Sequence, residues 1–296
     1  MRRTDNVVPS RCKICDSSRV RFYCRKQSAN HYRCQDCGII FQFPCPTAAA
    51  MIDYVNAKYQ NGQYGEYVNA QEMKLDHFRG RMERLRPYLK QGRLLDVGCS
   101  CGYFLQIAAS EGYEVQGVEF SASAIAAADP AIRPRIRQAS VDELARGHAG
   151  DFDVITAFDL IEHLDQPKDF LGAVYTLLSP GGTLAISTPD AGHFLRYCMR
   201  SRWPMVQPMQ HLTIFTEKAI HLALQTMGFE VLLSEKAYKT LSLAYLLDQI
   251  RELNPLLSTS LQACGRLLPR GTMTKYRHIN IGELLVVARK RGMNSC

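Results

Sequence analysis

Residues 94–105 read Leu-Leu-Asp-Val-Gly-Cys-Ser-Cys-Gly-Tyr-Phe-Leu, and no other stretch limits the fold as sharply. The apolar run of Leu94, Leu95 and Val97 is interrupted only by Asp96 and stops at Gly98; a short loop follows, and a new apolar run opens at Tyr103. This is the pattern of a buried strand, a tight turn and the start of a helix. In an open parallel sheet such a turn lies at the carboxyl end of a strand, where the ligand crevice forms.

The chain beyond Gly92 keeps alternating. Strands are expected at Arg93–Val97, Glu114–Val118, Arg135–Gln138, Asp153–Ala157, Thr183–Ser187, Glu230–Ser234 and Glu283–Ala288. Helices fit between them at Tyr103–Ser110, Ala122–Ala128, Pro167–Leu178 and Glu217–Met227, the first and last closed by Gly112 and Gly228. The class is therefore α/β, with a seven-stranded, mostly parallel sheet and helices on both faces. Leu178–Leu184, with its Pro180-Gly181-Gly182, reads as the turn before the fifth strand. Upstream, residues 47–90 look helical, with a polar interruption at Asn61–Gly65 and helical apolar spacing over Met73–Leu89, weakened late by Pro87. A helical insertion is expected at about 240–282, from the spacing over Leu241–Leu253 and Ser258–Leu268.

Ordinary hydrophobic (46%) and charged (22%) fractions suit a globular protein, no apolar run reaches a membrane span, and no apolar core follows Arg2 and Arg3 as a signal peptide needs. A cytoplasmic protein is the expectation, and its eleven cysteines are then thiols or metal ligands rather than disulfides. Residues 1–37 hold nine Lys or Arg against three Asp and carry +6 of the net +8. Such a patch is either a solvated surface or an attractor for phosphate-rich partners.

Within that segment, Cys12-x-x-Cys15 and Cys34-x-x-Cys37 are separated by eighteen residues. Two such pairs fit a four-thiolate Zn(2+) site, closed and therefore structural; a redox pair or coincidental thiols are the competing readings. Cys24, Cys45 and His31 are nearby spares without the paired spacing.

Two ligand classes compete for the loop at 96–102. A dinucleotide turn needs Gly-x-Gly-x-x-Gly, but counting from Gly98 the second and third glycine positions hold Ser100 and Tyr103. Asp96 would repel a pyrophosphate and suits a nucleoside bearing a positive centre. Asp96-Val-Gly-Cys-Ser-Cys-Gly102 resembles the first motif of class I S-adenosylmethionine-dependent methyltransferases, usually Asp-x-Gly-x-Gly-x-Gly, with Ser100 at the middle glycine. Glu119, 21 residues after Gly98, ends the second strand where an acid accepts from ribose hydroxyls. The resemblance covers about residues 90–290 and implies a Rossmann-like sheet closed by an antiparallel strand. It implies cofactor contacts at Asp96, Gly98, Ser100, Gly102, Glu119, Ser140, Val141 and Phe158, with Ser140 and Val141 bordering the adenine.

The fourth strand runs into Phe158-Asp-Leu-Ile-Glu-His163-Leu164. Three roles compete here: a polar loop without function, His163 as general base, or Asp159, Glu162 and His163 sharing a hard divalent ion. The segment resembles the Glu-x-x-Glu-His of ubiquinone-biosynthesis O-methyltransferases, which implies a place beside the sulfonium and acceptor and catalytic work for His163, Glu162 and Asp159. Gln210–Thr216 is similar to a Glu-His-Leu-x-x-Phe-Thr segment of that group; His211 either lines the acceptor pocket or packs near the helix that Thr216 caps. Trp203 is expected in the core. The Asn/Asp-Pro-Pro-Tyr motif of amino-methylating nucleic-acid enzymes is absent.

The resulting expectation is methyl transfer from S-adenosylmethionine to a small-molecule or glycan acceptor, O-methylation first. The organisation expected is a zinc-ribbon module (1–46), a helical linker or lid (47–90) and a methyltransferase domain (91–290). The alternatives are an RNA-base methyltransferase that grips RNA with the basic module, and a non-catalytic S-adenosylmethionine-binding module.

Overall fold

The computed structural model describes residues 8–47, 50, 51, 54, 71–242 and 276–292. Three short strands open it, β1 (Val20–Lys26), β2 (Ala29–Cys34) and β3 (Ile40–Gln42), followed by α1 (Gln71–Leu85). The α/β part then runs β4 (Arg93–Val97), α2 (Tyr103–Ser110), β5 (Glu114–Glu119), α3 (Ala122–Ala126), β6 (Ile136–Gln138), α4 (Val141–Ala145), β7 (Phe152–Phe158), α5 (Pro167–Leu177) and β8 (Leu178–Pro189). It closes with α6 (Leu195–Met199), β9 (Thr213–Ile214), α7 (Glu217–Thr226), β10 (Phe229–Ser242) and β11 (Tyr276–Lys290).

The large sheet has the order β10-β11-β8-β7-β4-β5-β6 among the described residues. β6, β5, β4, β7 and β8 are parallel, and β11 is antiparallel to both β8 and β10. The chain steps outward from β4 through β5 to β6, then returns to β4's other side with β7. That reversal opens a crevice at the carboxyl ends of β4 and β7. Leu94, Leu95, Val154 and Ile155 are fully buried because helices cover both faces.

The expected bounds of β4 and α2 match the structure, while several others shift. α1 stops at Leu85 instead of reaching Leu89: Pro87 lacks an amide hydrogen and the chain tightens into a 3-10 turn over Arg86–Tyr88. α3 ends at Ala126, not Ala128. The Pro180-Gly181-Gly182 turn is a bulge inside β8, which pairs Leu178 with Phe152 and resumes with Thr183 against Val154. The helical reading of 240–282 is wrong at both of its described ends. Thr240 pairs with His278 and Leu241 with Arg277 in a long β10–β11 ladder, whose cross-strand hydrogen bonds override the local helical spacing. The rest of that expected insertion, and Asn61–Gly65, lie outside the described residues.

The cysteine segment folds as the antiparallel meander β1-β2-β3, and β9 completes its sheet through Ile40–Ile214 and Phe41–Thr213. Ile39, Phe41, Cys34 and Cys37 share one apolar cluster with Ile161, Phe215 and Ile220. Trp203 is buried with Cys24, Ile40, Ala191, Val206 and Ile214 where the two sheets meet. The module is thus fused to the crevice side of the large sheet. No helix among the described residues is long and apolar enough to cross a membrane.

Candidate active site

The turn between β4 and α2 is left-handed at three alternate positions: Gly98 (φ 72°), Ser100 (φ 51°) and Gly102 (φ 73°). A Cβ on Gly98 would stand 3.1 Å from the Leu160 side chain, and one on Gly102 would stand 2.8 Å from Ile132. Ser100 holds the same backbone sign with a side chain, a sparsely populated conformation that tends to mark functional turns. The Ser100 amide donates to Glu119 Oε2 (2.9 Å), and the Ser121 amide donates to Oε1 (2.8 Å). Glu119 therefore ties the turn to the end of β5.

Asp96 lies beneath this turn, 4% exposed, and accepts from the Thr156 hydroxyl at 2.6 Å. Burial pushes its carboxyl up to about 7. Ser140 caps α4 in a capping box: its hydroxyl accepts from the Glu143 amide while its own amide donates to the Glu143 carboxylate. The expected adenine neighbour is thus occupied as a helix cap, with Val141 as the first residue of α4. Phe158 ends β7 with its ring 4.9 Å from Phe104 and the Arg81 guanidinium 4.8 Å above it.

Asp159 follows with φ 51°, its amide donating to the Ser187 carbonyl at 3.0 Å. Its carboxylate accepts from Lys239 Nζ (2.9 Å) and the Ser187 hydroxyl (3.1 Å). Lys239 also pairs with Glu283 (3.2 Å), and Arg81 bridges Ser187 and Glu283. Desolvation opposes both charges, but Lys239 and Arg81 hold the Asp159 carboxyl well below its usual range, and Asp159 and Glu283 hold the Lys239 ammonium above its own.

Glu162, 1% exposed, accepts from the Thr188 hydroxyl at 3.0 Å; burial, with the Asp159 charge second, pushes its carboxyl up to about 8. His163 donates from Nδ1 to the Gln210 carbonyl (2.8 Å), and His211 donates from Nδ1 to the Met205 carbonyl (2.7 Å). Each Nδ1 therefore carries a proton, which leaves Nε2 as the acceptor whenever the ring is neutral. Burial lowers the His163 pKa; burial and His163 together lower that of His211 to about 3. The two ring centres are 5.1 Å apart.

Residues 70–234, more than half of the chain, match the family described as methyltransferase domain. The chain belongs to that family. A ubiquinone biosynthesis O-methyltransferase of Marinobacter nauticus is 33% identical over 110 residues, 35% of this chain and 46% of that protein. One from Sodalis glossinidius is 29% identical over 150 residues, 48% and 59% respectively. The chain spans about half the length of the curated relatives it matches. In fold, it resembles the crystal structure of a SAM-dependent methyltransferase from Archaeoglobus fulgidus, with a TM-score of 0.52 and 16% identity over 76% of this chain and 99% of that one.

The donor set of the methyltransferase domain fits S-adenosylmethionine. Glycine at 98 and 102 lets the turn pack tightly on Leu160 and Ile132 with its backbone left-handed, and Glu119 holds a braced carboxylate at the end of β5 beside it. The four module cysteines fit a tetrahedral metal. Cys12–Cys37 and Cys15–Cys34 Sγ atoms are each 3.5 Å apart, near the ~3.8 Å expected for sulfurs 2.3 Å from zinc. Cys24 and His31 lie outside that group. A second set that could hold a metal is Glu162, His163 and His211, with donor atoms within 4.8 Å of one another. Asp159, grouped with Glu162 and His163 from sequence, is engaged by Lys239 instead.

Sequence reasoning missed Arg81, Lys239, Ser187 and Glu283. Arg81 had a signal, a charge three residues after Phe78 and four before Leu85 on the apolar stripe of α1. Lys239 depends on the β10–β11 ladder and had none.

Proposed function

We propose that this protein transfers the methyl group of S-adenosylmethionine to an oxygen of a small-molecule or glycan acceptor. When bound, S-adenosylmethionine supplies a methyl group already activated on a sulfonium. Gly98, Ser100 and Gly102 let backbone approach the ligand, and Glu119 receives the ribose hydroxyls. The observation that carries the acceptor chemistry is the Nδ1–Gln210 hydrogen bond, which leaves His163 Nε2 as a fixed proton acceptor beside the crevice. Its lowered pKa keeps the ring neutral and ready to take an acceptor hydroxyl proton. Much of the rate then comes from holding the acceptor in line and excluding water.

Cys12, Cys15, Cys34 and Cys37 hold a structural Zn(2+) in this reading, in an N-terminal zinc-ribbon module over 1–46 that supports the methyltransferase domain over 91–290. The grouping of Glu162, His163 and His211 favours one second reading, a divalent ion that acidifies the acceptor hydroxyl. Chelation that stops turnover while zinc stays on the cysteines selects it. The primary test is mass spectrometry of metabolites and glycans from cells with and without the gene. One class of product heavier by a methylene only when the gene is present is expected; unchanged profiles count against the proposal.

A further inference from the structure

A second concave feature lies away from the β4–α2 turn, between β1 and β2 of the cysteine module and α6. It is a groove of about 400 Å³, within the range of small-ligand sites. Four arginines converge on it: Arg21 and Arg33 from the module, and Arg196 and Arg200 from the α6 segment. No acidic residue lines it, and none of the four joins an ion pair among the described residues. Arg196 is only 4% exposed, and its Nε is buried without a hydrogen-bond partner, as is Nε of Arg33. A guanidinium buried without neutralisation is costly, and four like charges around one groove repel each other until an anion enters.

Phe22, Tyr23, Tyr197 and Gln35 complete the lining. Phe22 is 59% exposed and Tyr197 is 65% exposed, so both rings are open to a ligand in the groove. Tyr197 has the Arg196 guanidinium 3.8 Å from its ring centre, so charge and ring form one platform. Tyr23 secures this edge by donating from its hydroxyl to the Arg196 carbonyl at 3.3 Å. Arginine forks match phosphate oxygens bidentately, and exposed rings stack on nucleobases.

We propose that this groove binds a nucleoside diphosphate group, with the diphosphate against the arginines and the base against Phe22 or Tyr197. The groove's size suits one nucleotide rather than a polymer, and a lone inorganic anion leaves the rings unused. The inference stands on this groove alone and does not rest on methyl transfer. The segment from Asp190 to Leu212 carries both Arg196 and His211, so the bound group sits on the connection that supplies the acceptor side.

The test is calorimetric titration of the full-length protein with uridine diphosphate, adenosine diphosphate, inorganic pyrophosphate, uridine and a short single-stranded RNA. Both nucleoside diphosphates are expected to bind, with pyrophosphate and uridine each weaker by roughly tenfold or more. Tyr197→Ala or Phe22→Ala should weaken uridine diphosphate but not pyrophosphate; Arg200→Gln or Arg21→Gln should weaken both. All four side chains are exposed, so these variants keep the fold, and S-adenosylmethionine binding serves as the check. A uridine diphosphate hexose binding as well as uridine diphosphate identifies the group as a handle on a larger molecule; weaker binding identifies a free nucleotide. The proposal is overturned if no diphosphate binds, if pyrophosphate binds as tightly as the nucleotides, or if RNA binds more tightly than both through the same arginines.

Discussion

The Ser100 amide and the Glu119 carboxylate are joined by a 2.9 Å hydrogen bond that links the β4–α2 turn to the end of β5. The same carboxylate receives the Ser121 amide at 2.8 Å, so one side chain braces the turn and places a negative charge beside it, where the proposed function has the ribose. Glu119→Ala removes two charge-assisted hydrogen bonds along with the ribose acceptor. At about 1.5–3 kcal/mol for a bond to a charged group, S-adenosylmethionine affinity should fall by roughly 10- to 100-fold. Calorimetry reads this directly; an unchanged Kd would show that Glu119 serves only the loop.

The buried pair Arg81–Glu283 sits at 3% and 2% exposure, linked to Asp159 through Ser187. Arg81→Met leaves Glu283 to Lys239 alone and should cost about 3 kcal/mol, near the lower end for breaking a buried pair. The double variant Arg81→Met with Glu283→Met should recover part of that loss. Urea denaturation distinguishes them. A single variant as stable as the wild type would mean that the pair contributes little.

Asp96 gives stability a pH dependence of defined sign. Its carboxyl titrates near 3.8 when free and at about 7 in the fold, where burial dominates; Thr156 on β7 and Arg81 on α1 lower it, and Glu119 on β5 raises it. The folded state holds this proton more tightly than the unfolded state. The associated stability is therefore complete below about pH 4 and is lost as pH rises through about 7, by at most about 4 kcal/mol. Asp96→Asn cannot ionise. It should be more stable than the wild type at about pH 8 and lose that advantage progressively as pH falls to about 4. Parallel stability–pH curves for the two proteins would refute the assignment.

The cysteine module and the Glu162–His163 segment are connected through β9 and Leu212. The Gln42 amide donates to the Leu212 carbonyl (3.0 Å), and the Leu212 amide donates to the Glu162 carbonyl (2.8 Å). Thr216 donates to the Cys37 carbonyl at 2.5 Å. If the four thiolates hold zinc, metal analysis should find one ion per chain. Cys34→Ser should then raise hydrogen exchange across 209–216 as well as in β1–β3. Exchange that rises only within the module would place β9's order elsewhere.

Much of the site was legible where local pattern and structure agree. The apolar run closed by Gly98 defines β4, and the glycine spacing with Glu119 points to the donor ligand. What escaped was set by non-local pairing. β9 is two residues long, too short for a periodic signal, yet it ties His211's neighbourhood to Ile40 and Phe41. The β10–β11 ladder is polar toward its far end, so Leu241 looked helical until Arg277 was placed opposite it. Lys239 reaches Asp159 only through that ladder, which is why Asp159 was grouped with Glu162 and His163 instead.

The most direct measurement of the central claim is transfer of an isotopically labelled methyl group from S-adenosylmethionine, by the purified protein, into a metabolite and glycan extract. The wild-type protein should give a product labelled on oxygen, and His163→Ala should make it roughly 10²- to 10⁴-fold more slowly while binding S-adenosylmethionine normally. No labelled product, or a label on oxygen formed equally fast by His163→Ala, would contradict the account.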